Sequence, residues 1–109
     1  MIIATTEAVA GRHVVRVLGL VRGNTIRARH IGRDISAVMR NIAGGEIHEY
    51  TKLLAESREQ AIDRMIEEAE RLGANAVLAV RFSTSMIMSA AAETMCYGTA
   101  VILDHEGKT

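Results

Sequence analysis

Sulfur is the first chemistry this sequence offers. Met86, Met88, Met95 and Cys96 fall within eleven positions of the stretch "STSMIMSAAAETMCYGTAVIL". Thioethers and thiolates are soft donors of the kind that select Cu(I), and an imidazole such as His13 could complete such a set. Met86, Met88, Met95, Cys96 and His13 are therefore the candidate metal ligands. Strand geometry works against the cluster. Met95 and Cys96 are adjacent, so on a strand their side chains leave from opposite faces and cannot close on one ion without a bulge. Met86, Met88 and Met95 could share a face and hold Cu(I) through three thioethers, but the plainer and favoured reading is flexible filler where surfaces meet, at a helix or at a neighbouring subunit. For Cys96, the choice is between a small buried hydrophobe and a nucleophile, and no neighbouring base lowers its pKa.

The four histidines, His13, His30, His48 and His105, stand far apart. "HEYTK" at 48–52 begins like a zinc-protease helix motif, but Lys52 occupies the second histidine's place, and the pattern loses its ligand value. His48 reads instead as a residue of the first turn of a helix, and "DHE" at 104–106 as part of a polar tail. GxSxG, GxGxxG, Walker A, CxxC and EF-hand patterns are all missing, so no enzymatic reaction is expected. Arg81, on an otherwise apolar strand, is the candidate for binding an anion or a partner's carboxylate, against the plainer reading of a solvent-facing arginine.

The elements that must carry these residues can be read from periodicity. A short strand, Met1 to Thr5, precedes Gly11. Val14 to Ile31 is rich in β-branched residues with Gly23-Asn24 in the middle, which predicts a hairpin turning at that pair. In its first strand the face shared by Val15, Val17, Val21 and Gly19 is the expected core face. Arg33 to Ile42 has helical spacing and stops at Gly44-Gly45. Glu46 to Leu72 places Ile47, Tyr50, Leu54, Ala61, Met65, Ala69 and Leu72 on one stripe, predicting a long amphipathic helix with Gly73 just past its end. "SREQ" at 57–60 offers an alternative restart at Ser57. Ala76 to Val80 lacks polar alternation and reads as a strand buried on both faces. Beyond it Phe82, Thr84, Met86 and Met88 point one way and Arg81, Ser83, Ser85 and Ile87 the other. "SAAAE" reads as a loop, Thr94 to Leu103 as the last strand, and 104–109 as a fraying tail.

The expected fold is thus α+β. An antiparallel sheet in β-β-α-α-β-β order carries one short and one long helix on one face, within a single domain spanning residues 1–103. At 109 residues such a domain has a limited core, and this one has only Tyr50, Tyr97 and Phe82 as aromatics. Another copy of the chain is the expected cover for what one copy leaves exposed, with Val80, Phe82, Met86 and Met88 as the interface candidates. A lone cysteine suits a reducing, cytoplasmic setting, and neither a signal peptide nor a membrane span is expected. Residues 1–45 carry seven arginines against two acids, whereas 46–109 carry eleven acids against six bases. That asymmetry suits charge pairing within or between subunits better than nucleic acid, since the basic half lacks interleaved aromatics.

Several features occur in a recognisable order: Thr5-Thr6 after a short strand, Leu18-Gly19, Gly44-Gly45, Tyr50 opening an acidic helix, "LGANAV" at 72–77 and "GTAV" at 98–101. Together they resemble the YbjQ-like family over about residues 1–103. The resemblance implies an α+β subunit assembling into a ring-shaped homopentamer, and it brings a heavy-metal-binding label that is itself an inference. This chain departs from the family pattern where Asn75 replaces a common Asp and where Arg81 and Ser83 stand at usually acidic positions. A hard-cation site built from those carboxylates is not expected. No cofactor is fixed by the residues, a metal ion being the one candidate.

Overall fold

The computed structural model describes residues 1–28, 47–88 and 91–105. The expected helix at Arg33 to Ile42, Gly44-Gly45, His30 and the end of the tail lie outside them. Four strands and one helix are described: β1 (Ile2–Ile3), β2 (Val14–Ala28), α1 (Ile47–Arg71), β3 (Ala76–Met88) and β4 (Ala91–Leu103). They form one sheet in the order β1-β3-β4-β2. β4 pairs antiparallel with both β2 and β3, but β1 pairs parallel with β3. The sheet is therefore mixed, not antiparallel throughout. The connection from β1 to β3 runs through β2 and α1, long enough to bring the chain back in the same direction.

The hairpin expected at Gly23-Asn24 is not there. β2 runs through both residues without a break, with Gly23 opposite Cys96 and Asn24 opposite Met95. What requires the glycine is the helix. A Cβ built on Gly23 would collide with the Ala61 carbonyl oxygen and the Met65 backbone nitrogen, and would lie 2.9 Å from Arg64 Cβ. A turn glycine and a close-approach glycine look identical in sequence, and here the second physical cause operates.

α1 matches the expected long helix and passes through Ser57 without restarting. Ser57, Ala61, Met65 and Ala69 recur every fourth residue and are all fully buried. Three of the four are small, so the helix axis can lie close to β2 and β4, with Met65 the one large side chain filling the seam. Burying it stabilises the fold by about 1.5–3 kcal/mol. The helix ends in a Schellman motif. Ala74 N–H donates to the Ala69 carbonyl at 3.0 Å and Gly73 N–H to the Glu70 carbonyl at 3.0 Å, with Gly73 at φ +87°.

The core has two parts. Toward the helix, Val21, Val77, Val80, Cys96 and Ala100 pack against Ala61, Met65 and Ala69. On the opposite face, Leu78, Val101 and Leu103 lie under Ile2, Ala4 and Val9 of the N-terminal segment. Ala76 to Val80 is thus buried on both sides within one subunit, as its sequence suggested. The expectation for β2 holds only in part. Val21 is fully buried, but Val15 and Val17 are each 63% exposed. Register shifts between Val14 and Arg16 and between Val17 and Gly19, with Gly19 at φ +127°, break the alternation that the valine face relied on. The loop expected over "SAAAE" is also shorter, since Ala91, Ala92 and Glu93 already belong to β4.

The long arms of β2 have one edge against solvent, and α1 closes part of it. Arg64 Nη1 donates to the Asn24 carbonyl at 2.6 Å, and the Glu68 carboxylate accepts from Arg22 N–H at 3.1 Å. Two outward-facing backbone groups of an edge strand are thereby satisfied by side chains four residues apart on one helix, which blunts that edge against pairing.

Candidate functional site

The face of the sheet away from α1 carries Tyr97 and two arginines side by side. Cross-strand register builds it. Because Gly23 and Cys96 face the helix, Arg22 and Tyr97 face the other way, and Arg81 lies opposite Tyr97 on the far side. One row across three strands is therefore Arg22, Tyr97, Arg81. The next row is Asn24, Met95, Ser83. Leu20, Arg22, Ser83, Met95 and Tyr97 line an open groove of about 330 Å³. A second groove of about 260 Å³ lies on the same face toward the N-terminal segment, between Glu7, Val14, Val17, Leu78, Ala79, Thr99 and Val101.

Arg81 is placed by a bulge. The register shifts between Leu78 and Arg81, Ala79 takes φ +55°, and its N–H donates to the Thr6 carbonyl at 2.8 Å while Val80 N–H donates to Ala4 at 3.0 Å. The extra residue turns those two donors toward the N-terminal segment. Nη1 of Arg81 then donates to the carbonyls of Thr5 and Val80, both at 2.9 Å. Backbone oxygens position this guanidinium but do not neutralise it.

The candidate metal donors do not converge. Cys96 is fully buried beneath the helix, and its thiol donates to Met65 Sδ at 3.7 Å. Burial pushes its pKa up, and a hydrogen bond from the Gly23 backbone only partly opposes this. Met95 leaves from the other face of the sheet and lines the groove, as adjacency to Cys96 required. Met86, opposite Ala92, shares the helix-side face with Thr94 and Cys96, so it cannot join Met95 as expected. The side chain of Met88 lies outside the described residues, as does that of His48. His13 immediately precedes β2, and its Nδ1 meets Asp104 Oδ2 at 3.2 Å. The imidazole is thus committed to a clasp between β2 and the residue after β4. No group of three or more His, Cys, Asp or Glu side chains poised to hold a metal is found among the described residues. A soft-metal centre built from Met86, Met95, Cys96 and His13 does not fit this geometry.

The interface candidates divide in the same way. Val80 is 3% exposed and belongs to the subunit's own core. Phe82 and Met86, at 44% and 57% exposure, stand on the helix side of β3. Periodicity missed two features. Met65 was assigned to the core stripe, but its pairing with Cys96 depends on where the helix crosses the sheet. The Arg22–Tyr97–Arg81 row depends on strand register. Thr94 adds a third: its Oγ1 is buried with no hydrogen-bond partner among the described residues, although Thr25 opposite it donates to Gln60 Oε1 at 2.8 Å.

No helix of the described residues is long and apolar enough to cross a membrane. The chain is similar to a UPF0145 protein of Dehalococcoides mccartyi, 59% identical over 104 residues that cover 95% of this chain and all of that protein. It is also similar to UPF0145 proteins of Methanosarcina acetivorans, 55% identical over 93% of this chain and 95% of that one, and of Archaeoglobus fulgidus, 56% identical over 94% and 95%. A crystal structure of a protein of unknown function from Pediococcus pentosaceus, assigned to the DUF74 family, shares the fold with a TM-score of 0.61 at 15% identity, covering 95% of this chain and 98% of that one. The YbjQ family model, described as "Putative heavy-metal-binding", matches residues 1–104. From that match and these relatives, the chain belongs to the YbjQ (UPF0145) family.

Proposed function

We propose that this chain is a non-enzymatic, cytoplasmic subunit whose working form is a ring of identical copies, a homopentamer, holding a small ligand or ion at the boundaries between subunits. The observation that carries this reading is the subunit's extended form. Its Cα radius of gyration is 17.8 Å and its extents are 60 × 23 × 15 Å, whereas a compact chain of this length has a radius of about 13 Å. A body that long and thin cannot shield its apolar residues by itself. Val15, Val17, Phe82 and Met86 all remain more than two-fifths exposed. Exposed apolar area of this kind is characteristic of surfaces that another chain covers. A buried, unpaired Cys96 suits a reducing compartment.

Light scattering coupled to gel filtration tests the assembly. A mass near five times 11.8 kDa at micromolar concentration is expected, and a stable species of one chain overturns the reading.

Heavy-metal binding is the second reading, resting on the family's description and on the Met65–Cys96 sulfur pair. Elemental analysis of untagged wild-type protein beside Cys96→Ser decides it. A site of structural affinity survives purification, so less than about 0.1 metal per chain in both ends that reading.

A further inference from the structure

We infer that the groove on the open sheet face is a binding site for a small aromatic anion of mononucleotide size, its ring against Tyr97 and its phosphate on Arg22, with Arg81 adding positive charge from the far side of Tyr97. Nothing in the assembly reading requires this, and the inference stands on the groove itself.

Charge is the first argument. Arg22 and Arg81 flank Tyr97 in one row, and neither forms an ion pair among the described residues. The ion pair found among the described residues is the distant His13–Asp104 contact. Arg81 is held by the Thr5 and Val80 carbonyls through Nη1, which leaves its Nε and Nη2 as donors in a fixed position. No acid lines the groove itself: Glu68 reaches the Arg22 backbone N–H from α1, and Glu7 lines the neighbouring groove toward the N-terminal segment. Glu56, Glu59, Asp63, Glu67 and Glu70 recur at three- and four-residue spacing and are exposed on the outer side of α1, with helix and sheet between them and the groove. Glu93, also on the open face, is a row further along and is approached by Asn24 Nδ2 at 3.5 Å.

Chemistry of the wall is the second argument. The polar side chains lining the groove are Arg22, Ser83 and Tyr97, and all three are able to donate hydrogen bonds, Arg22 doing nothing else. A wall of donors suits a ligand whose polar end is an acceptor. The rest of the lining, Leu20, Met95 and the face of Tyr97, is apolar and polarisable, and suits a flat ring. Volume is the third argument. About 330 Å³ lies at the small end of the range of about 300–1,000 Å³ for small-molecule sites, enough for one base and one phosphate but not for a folded polymer. Tyr97 is also one of only three aromatics in the chain, and it stands 37% exposed on this face while the core is built without it.

The test is a titration of the full-length protein with AMP, followed by amide chemical shifts and equilibrium dialysis, with adenosine and inorganic phosphate as separate probes. AMP is expected to bind saturably, with shifts centred on Leu20, Arg22, Ser83, Met95 and Tyr97, and each half-ligand at least about tenfold more weakly. Arg22→Ala and Tyr97→Leu, both changes of exposed side chains, are each expected to weaken AMP about tenfold, since stacking or one guanidinium contact is worth that order. Arg58→Ala, on the helix, removes the same charge away from the groove and is expected to leave binding unchanged. Absence of saturable AMP binding through the millimolar range overturns the inference. So does equal binding of phosphate and AMP, or equal loss in Arg58→Ala and Arg22→Ala. Light scattering on the same samples separates the two readings: a monomer that binds AMP sinks only the ring, and a ring that ignores AMP sinks only this site.

Discussion

Replacing Gly23 by alanine is the sharpest perturbation of this fold. The added methyl would meet the Ala61 carbonyl oxygen and the Met65 nitrogen and come within 2.9 Å of Arg64 Cβ. Two of these three are backbone atoms, so no rotamer change relieves the collision. Restoring ordinary contact of about 3.5–4 Å requires α1 to retreat by on the order of 1 Å. Overpacking of this sort costs about 1–3 kcal/mol. The retreat also stretches the Arg64–Asn24 and Glu68–Arg22 hydrogen bonds, each worth about 0.5–1.5 kcal/mol. Replacing a strand glycine returns about 0.5–1 kcal/mol through the unfolded chain. The net expectation is a loss of about 3 kcal/mol. With a urea m-value of about 1–3 kcal/mol/M, the unfolding midpoint should fall by at least about 1 M at unchanged m and fixed protein concentration. Ala61→Gly should not rescue it, because the obstacle at Ala61 is the carbonyl and not the methyl. A loss below about 1 kcal/mol, or rescue by Ala61→Gly, refutes the close-approach explanation and returns Gly23 to the role of a turn residue.

Three further outcomes follow from single groups. Thr94→Val removes a buried hydroxyl that has no partner, so it should raise stability by about 1–2 kcal/mol, and a lowered thermal midpoint counts against the orphaned oxygen. Cys96 is buried with its thiol pKa pushed up, so a thiol reagent at neutral pH should label it only as fast as the protein opens, and labelling at the rate of a free thiol contradicts the burial. The Asp104 carboxyl is held below the usual carboxylate range by the His13 N–H at 2.8 Å, with the His13 ring and Arg12 adding to it. Since its folded pKa is depressed, the clasp stabilises the protein above the unfolded value of 3.8 and that stabilisation is lost as pH falls through the lower folded value. Asp104→Asn should remove this acid dependence, although its Oδ1 still accepts from the His13 N–H, and an unchanged pH profile refutes the assignment.

Some of this molecule is written in local sequence. The long helix is legible because Ala61, Met65 and Ala69 repeat at its period and Gly73 supplies the left-handed residue that ends it. The opposite pointing of Met95 and Cys96, and of Phe82 and Arg81, is legible because strand side chains alternate whatever the strand pairs with. Family membership was legible in the order of short motifs. What the tertiary structure alone decided is everything that depends on a second element. Gly23 reads as a turn until a helix backbone is laid across it. The valine face of β2 reads as core until bulges near Arg16 and Gly19 break its alternation. β1 is two residues that any edge could have taken, and its parallel pairing is fixed by the backbone donors of Ala4, Ala79 and Val80. Likewise Arg22, Tyr97 and Arg81 lie far apart in the chain, and only the register of three strands sets them side by side. Periodicity is a property of one segment, whereas close approach, register and shared faces are properties of pairs, and pairs are chosen by packing.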